Sequence, residues 1–224
     1  MSKQADAKSL ALNVYQQIRQ NIFDGHYQPG MRLGPALLAK EYGASTTVLR
    51  EAMILLTGDR LVVSTPGSGF SIPELERSEL KDLTLLRCHN ESLALQLAIE
   101  RGGLKWETEV ISAHHIMTRI PRRTLENPEV PNPEWFNAHR TFHSKLLSGC
   151  GIPALIDICE KLSSATEIYR VYSVPMTRAA KRDVETEHAD LLEAVLAHDT
   201  PRAVALLKAH YETTEAGLLA NWPA

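Results

Sequence analysis

The sequence of 224 residues lacks any run approaching the ~20 uncharged apolar residues needed to cross a bilayer, and its opening MSKQADAKSL has no apolar core of the signal-peptide kind. A cytoplasmic protein without a membrane partner is expected. Only three cysteines occur, Cys88, Cys150 and Cys159, an odd number with no CxxC spacing. That argues against a disulfide framework or a thiolate zinc site and leaves them as core thiols. HExxH, a Gly-rich phosphate loop and a GxSxG nucleophile elbow are all missing. Strong charge is missing too. The net charge is −3, with seven Lys/Arg against six Asp/Glu in residues 1–75 and 17 against 21 in the remainder, so electrostatics alone does not single out a nucleic-acid-binding half. Internal repeats and low-complexity runs are absent. What is present is 44% hydrophobic and 23% charged residues, enough for one large or two small domains with a real core.

Val14, Ile18 and Ile22 recur every four residues and mark one face of a helix over about 8–24, which Gly25, Pro29 and Gly30 stop. Pro35–Tyr42 predicts a short helix. After the turn Gly43-Ala44-Ser45, Ser45 can cap a third helix reaching Gly58 and burying Leu49, Ala52, Met53 and Leu56. The β-like runs Leu61-Val62-Val63 and Phe70-Ser71-Ile72 flank Thr65–Gly69 and predict a hairpin. Three helices and a hairpin over 1–75 describe a winged helix-turn-helix. Pro73–Arg77 is the expected linker. From 78 to 224 the periods are helical throughout, at about 78–102, 105–120, 133–149, 153–173, 179–197 and 201–221. Asn132-Pro133 and Thr200-Pro201 each offer an N-cap followed by proline at the first helical position. The fold class is therefore mainly α, a winged helix joined to an all-helical bundle.

A helix-turn-helix presents the N-terminal side chains of its second helix to the major groove. Thr46, Thr47 and Arg50 share the face opposite the Leu49–Met53–Leu56 ridge. Arg50 suits guanine or phosphate, and the threonines suit phosphate or a thymine methyl. Lys40 and Arg60 are candidates for phosphate contacts, and the wing tip Gly67-Ser68-Gly69 for close approach to a minor groove. A small helical subdomain with a solvated polar face is the bland alternative. Residues 14–72, with Gln28-Pro29-Gly30-Met31-Arg32-Leu33, Leu38-Ala39, Tyr42-Gly43-Ala44-Ser45, Leu49-Arg50-Glu51-Ala52-Met53, Leu61-Val62 and Gly69 in order, resemble the DNA-binding domain of the GntR family. Arg32, Lys40, Ser45, Thr46, Thr47, Arg50, Arg60, Ser68 and Gly69 are the candidate operator contacts, and of the arginine contacts usual in that family Arg50 is the one that matches. Ala36 and Thr46 stand where that family usually has basic residues, and Thr47-Val48 replaces its Thr-Pro pair.

His139 and His143 lie one turn apart on a face that also carries Trp135, Phe142 and Leu146. His188 falls in register with Val184, Leu191 and Val195, and His210 with Ala203, Leu206, Leu207 and Thr214. Four inward imidazoles on three helices suit zinc, nickel or iron. Separate core histidines are the alternative. The pattern resembles the FCD effector domain of the FadR subgroup, in whose metal-binding members an Asp and a His four residues apart join two later histidines. His139 occupies the aspartate's place, which favours a nitrogen-preferring divalent transition metal. Arg87 and Glu91, one turn apart on an otherwise apolar face, are either an ordinary ion pair or, as the resemblance implies, part of a site for a small organic or sugar acid. The expected function is a homodimeric transcription regulator, more often a repressor in this family, on palindromic operator DNA. A metal-dependent enzyme built on the four histidines, and a regulator sensing the metal or an acyl ligand, are the rival readings.

Overall fold

The computed structural model describes residues 3–124, 126, 132–172 and 182–222. Its elements in order are α1 (Lys3–Phe23), α2 (Pro35–Tyr42), α3 (Thr46–Gly58), β1 (Val63–Thr65), β2 (Gly69–Ser71), α4 (Arg77–Arg101), α5 (Leu104–Arg119), α6 (Pro133–Ser148), α7 (Pro153–Tyr172), α8 (Val184–Leu196) and α9 (Thr200–Ala220). The fold is mainly α with a two-stranded wing. No helix among the described residues is long and apolar enough to cross a membrane.

The chain divides into two compact units, Met1–Leu80 with Lys161–Tyr172, and Lys81–Glu160 with Ser173–Ala224. The division falls inside α4 and inside α7. In the first unit, the buried stripe of α1, Ala11, Val14, Ile18 and Ile22, meets Val48, Leu49, Ala52, Met53 and Leu56 of α3. Helix α1 begins at Lys3, five residues before the expected start at about 8, because Lys3, Gln4, Ala5 and Ala7 are good helix formers. The hairpin pairs Val63 with Ser71 and Thr65 with Gly69. It starts two residues later than the apolar run suggested, since Leu61 and Val62 are buried in the core and the exposed residues from Val63 onward form the strand. Arg32 adds an antiparallel bridge to Ser71. The last turns of α7 belong to this unit. Ile168 joins its core, the Tyr172 hydroxyl donates to the Tyr27 carbonyl, and the Tyr169 hydroxyl donates to Glu79 at 2.8 Å.

The second unit packs α4, α5, α6, the start of α7, α8 and α9 around one core that includes Leu95, Trp106, Phe142, Leu146, Leu191 and Leu207. All three cysteines are buried thiols without a disulfide, and burial pushes Cys159 up to about 12. Asn132 caps α6 by accepting from the Glu134 amide at 3.0 Å, with Pro133 at the helix start. The cap of α9 is Asp199, which accepts from the Arg202 amide at 3.2 Å. Thr200 is thus already helical, because the neighbouring carboxylate is a better acceptor at the positive end of the helix. Asp183 caps α8 in the same way. The part of that helix expected at 179–181, and the expected last residue of α7 at 173, lie outside the described residues.

Candidate functional site

The sequence pattern singles out two places, one in each unit. In the first, α2 ends on Gly43, whose left-handed backbone (φ 62°) lets its amide reach the Ala39 carbonyl and turns the chain tightly into α3. The Ser45 side chain accepts from the Val48 amide, so its oxygen is committed to capping. Thr46, Thr47 and Arg50 are exposed together on the face opposite the buried ridge. Arg32 is exposed beside the wing, and Lys40 is exposed in the last turn of α2. At the wing tip, Gly67 and Gly69 take positive φ (75° and 84°), conformations open to residues without a Cβ, and leave Ser68 exposed. Arg60 is not gathered with these. It follows the C-terminal end of α3 and lies 3.5 Å from Glu79, in an exposed pair of a kind worth only about 0–1 kcal/mol. Ile54, seven residues after Thr47 on the same helix, is 56% exposed.

In the second unit, α6 supplies His139 and His143, α8 His188 and α9 His210, all buried. One ring nitrogen from each comes within 4.8 Å of all the others. His143 Nε2 is 3.2 Å from His139 Nε2 and 3.2 Å from His188 Nε2. An ion bound at about 2.0–2.1 Å from each nitrogen sets adjacent ligand atoms roughly 3 Å apart, so this spacing fits a single divalent cation. Trp135 stacks on His139 with ring centres 4.8 Å apart.

Two arginine–carboxylate pairs stand behind the imidazoles. On one side, Arg182 donates from Nε and Nη2 to the two oxygens of Glu187, at 2.7 and 2.6 Å, and from Nη1 to Thr214. The Nδ1 of His210 is 2.8 Å from Glu187 Oε2 and 3.1 Å from Arg182 Nη2. Both hydrogens on that Nη2 already have oxygen acceptors, Glu187 and the His210 carbonyl at 2.9 Å. Nδ1 is therefore the donor, to Glu187, which puts the lone pair of the His210 ring on Nε2, the atom that can ligate. Burial alone would raise the Glu187 carboxyl, but hydrogen bonds from His210 and Arg182 and the Arg182 charge bring it down to about 2. On the other side, Arg87 donates to Glu91 at 2.5 and 3.4 Å, its guanidinium lies 4.0 Å from the centre of the Tyr211 ring, and the Tyr211 hydroxyl donates to Glu91. Burial and the Glu91 charge hold the Tyr211 phenol well above its ordinary range, so it keeps its proton.

The structure thus brings all four predicted histidines together and sets the Arg87–Glu91 pair beside them through Tyr211. Tyr211, Glu187 and Arg182 were missed. Only for Tyr211 was there a sequence signal, a tyrosine next to an inward histidine, whose buried hydroxyl has to find a partner. Of the remaining histidines, His198 is 3.0 Å from Glu107 and His89 bonds the Leu85 carbonyl.

Residues 10–72 match the family described as bacterial regulatory proteins, gntR family, and residues 82–213 match the FCD domain. The HTH-type transcriptional repressor GlaR of Escherichia coli (strain K12) is 31% identical over 210 residues, covering 91% of this chain and 93% of that protein. The uncharacterized HTH-type transcriptional regulator BphR of Paraburkholderia xenovorans (strain LB400) is 30% identical over 210 residues, covering 94% and 85%. Among solved structures, E. coli McbR/YncC has the same fold with a TM-score of 0.76 at 21% identity, over 96% of this chain and 99% of that one. A putative transcriptional regulator GntR from Rhodococcus sp. RHA1 gives 0.77 at 22% identity, over 96% and 100%.

Proposed function

This chain belongs to the gntR family of bacterial regulatory proteins and carries an FCD domain, and on that premise we propose a repressor controlled by a small carboxylate and a divalent metal. As a member of the family it is a DNA-binding transcription regulator and not an enzyme. It acts in the cytoplasm as a homodimer whose two winged helices read the halves of a palindromic operator. Thr46, Thr47 and Arg50 face the bases, and Arg32, Lys40 and the wing tip at Ser68 and Gly69 face the backbone or the minor groove. Ser45 sets the start of the reading helix, and Arg60 reaches phosphate only by leaving Glu79.

The observation that carries the effector half of this reading is the set of four buried imidazoles within 4.8 Å of one another. His139, His143, His188 and His210 hold zinc, nickel or iron, the ions that an all-nitrogen donor set prefers. Four neutral ligands leave the ion's charge uncompensated, which favours an anion at an open position. Arg87 is the second anchor for a small organic or sugar acid, and Glu91 is the group that such an acid has to displace from it. Coupling between such a site and DNA is typically ~1–3 kcal/mol, about 5- to 150-fold in affinity. The full engagement of Arg87 by Glu91 favours one second reading, in which the metal itself is the signal.

The test replaces His143 and His188 together by alanine and measures metal content by elemental analysis, organic-acid binding by thermal shift, and operator affinity. Loss of metal with loss of the acid response is the expected result. Wild-type occupancy should fall as the pH is lowered through roughly 6–7, because imidazole must be neutral to bind. Stoichiometric metal in the double variant would mean that the site is wrongly placed. Loss of metal with an intact acid response would put the effector elsewhere, and a response to metal with no acid would establish the second reading.

A further inference from the structure

We propose that Tyr211 and Glu91, held by Arg87, form a positioning relay that presents the Nε2 lone pair of His143 to the bound cation. The inference rests on the metal reading above and gives the Arg87–Glu91 pair a task on the cation's side of the site. The three side chains are buried, Glu91 to 1% exposure and Tyr211 to 5%. The Tyr211 oxygen is within hydrogen-bonding distance of Glu91 Oε2 and 3.3 Å from His143 Nδ1.

Donor and acceptor chemistry allows one ordering. A carboxylate paired with a guanidinium only accepts, so the phenol proton goes to Glu91 and the phenol oxygen accepts from His143 Nδ1–H. A neutral imidazole protonated on Nδ1 has its lone pair on Nε2, the atom that sits 3.2 Å from the Nε2 atoms of both His139 and His188. In the reverse ordering Nε2 would carry the proton and could not ligate, while the phenol oxygen would face a carboxylate with lone pairs on both. A phenol polarised toward a carboxylate is also a stronger acceptor, which raises the basicity of the imidazole behind it.

Packing does not account for the arrangement. A phenylalanine would fill the space of Tyr211 and lie equally well under Arg87. The ion pair is a poor stability device as well, since it is buried and runs in the weaker Arg-before-Glu order at i, i+4. Holding the Tyr211 hydroxyl at His143 explains both the burial and the pairing.

The experiment titrates metal-stripped full-length protein with Zn(II) against a competing chelator, and with Co(II) followed by its visible d–d spectrum. Tyr211→Phe should weaken Zn(II) binding about 10- to 100-fold and alter the Co(II) spectrum, while the metal-free protein still unfolds in one cooperative transition. Glu91→Gln should have a similar effect, and the double variant should be no weaker than the weaker single one, because both changes break one relay. Should Glu91→Gln fail to fold, Tyr211→Phe decides alone. Wild-type affinity and spectrum in Tyr211→Phe, or additive losses in the double variant, overturn the relay and leave the metal site standing. A wild-type chain that takes up neither ion overturns the metal reading and the relay with it.

Discussion

Arg50 is exposed between two buried neighbours of α3, Leu49 and Ala52, so its side chain can be removed without disturbing the core. Arg50→Ala should weaken operator binding by about 1–3 kcal/mol through loss of a charge-assisted contact to base or phosphate, with thermal unfolding unchanged. A gel-shift titration checks this, and equal affinity would take Arg50 off the interface. At the same scale, the sequence made the four histidines legible because each lies on an apolar stripe, and the i, i+4 spacing of His139 and His143 places two of them by helix geometry alone. It did not reveal what holds them. Glu187 meets His210, and Tyr211 meets His143, across helices that are distant in sequence. Arg182 reaches Glu187, Thr214 and His210 from a position just before α8, where a helix was expected to have begun already.

Among elements, α4 leaves an unusual outer face. Leu86 and Leu93, seven residues apart and so on one side of the helix, are 46% and 49% exposed, and Leu85 beside them is 58% exposed. On α5, Leu104 and Ile111 repeat the spacing at 78% and 44%. Apolar stripes of this kind are costly in water, and a second copy of the chain would cover them in the dimer proposed above. Leu86→Glu combined with Leu93→Glu should shift the protein from dimer to monomer in sedimentation at micromolar concentration and reduce affinity for the full operator more than for a half-site. A dimer that persists in this variant would place the interface elsewhere. Elements themselves were the most legible level of the sequence, since apolar period and capping residues are local properties. The exceptions were local competitions, such as Asp199 displacing Thr200 as the cap and core burial drawing Leu61 and Val62 away from the hairpin.

For the whole molecule, the least legible fact was that α7 is shared. Nothing in its uninterrupted helical period separates Pro153–Glu160 from Lys161–Tyr172, yet the second stretch is counted with the winged helix. Ile168 is 1% exposed in that unit's core, and Tyr172 and Tyr169 bond Tyr27 and Glu79. Filling or emptying a core position of this size is worth about 2–5 kcal/mol, a large part of the stability of a small unit. A fragment of residues 1–75 should therefore melt well below the full chain when both are followed by circular dichroism. A cooperative transition at the full chain's temperature would contradict this. The winged helix is in that sense not a portable cassette. A chimera that grafts it onto another regulator by a single cut near residue 75 would carry away the reading helix but not the brace, so an exchange of specificity between relatives has to transplant two separate stretches of chain.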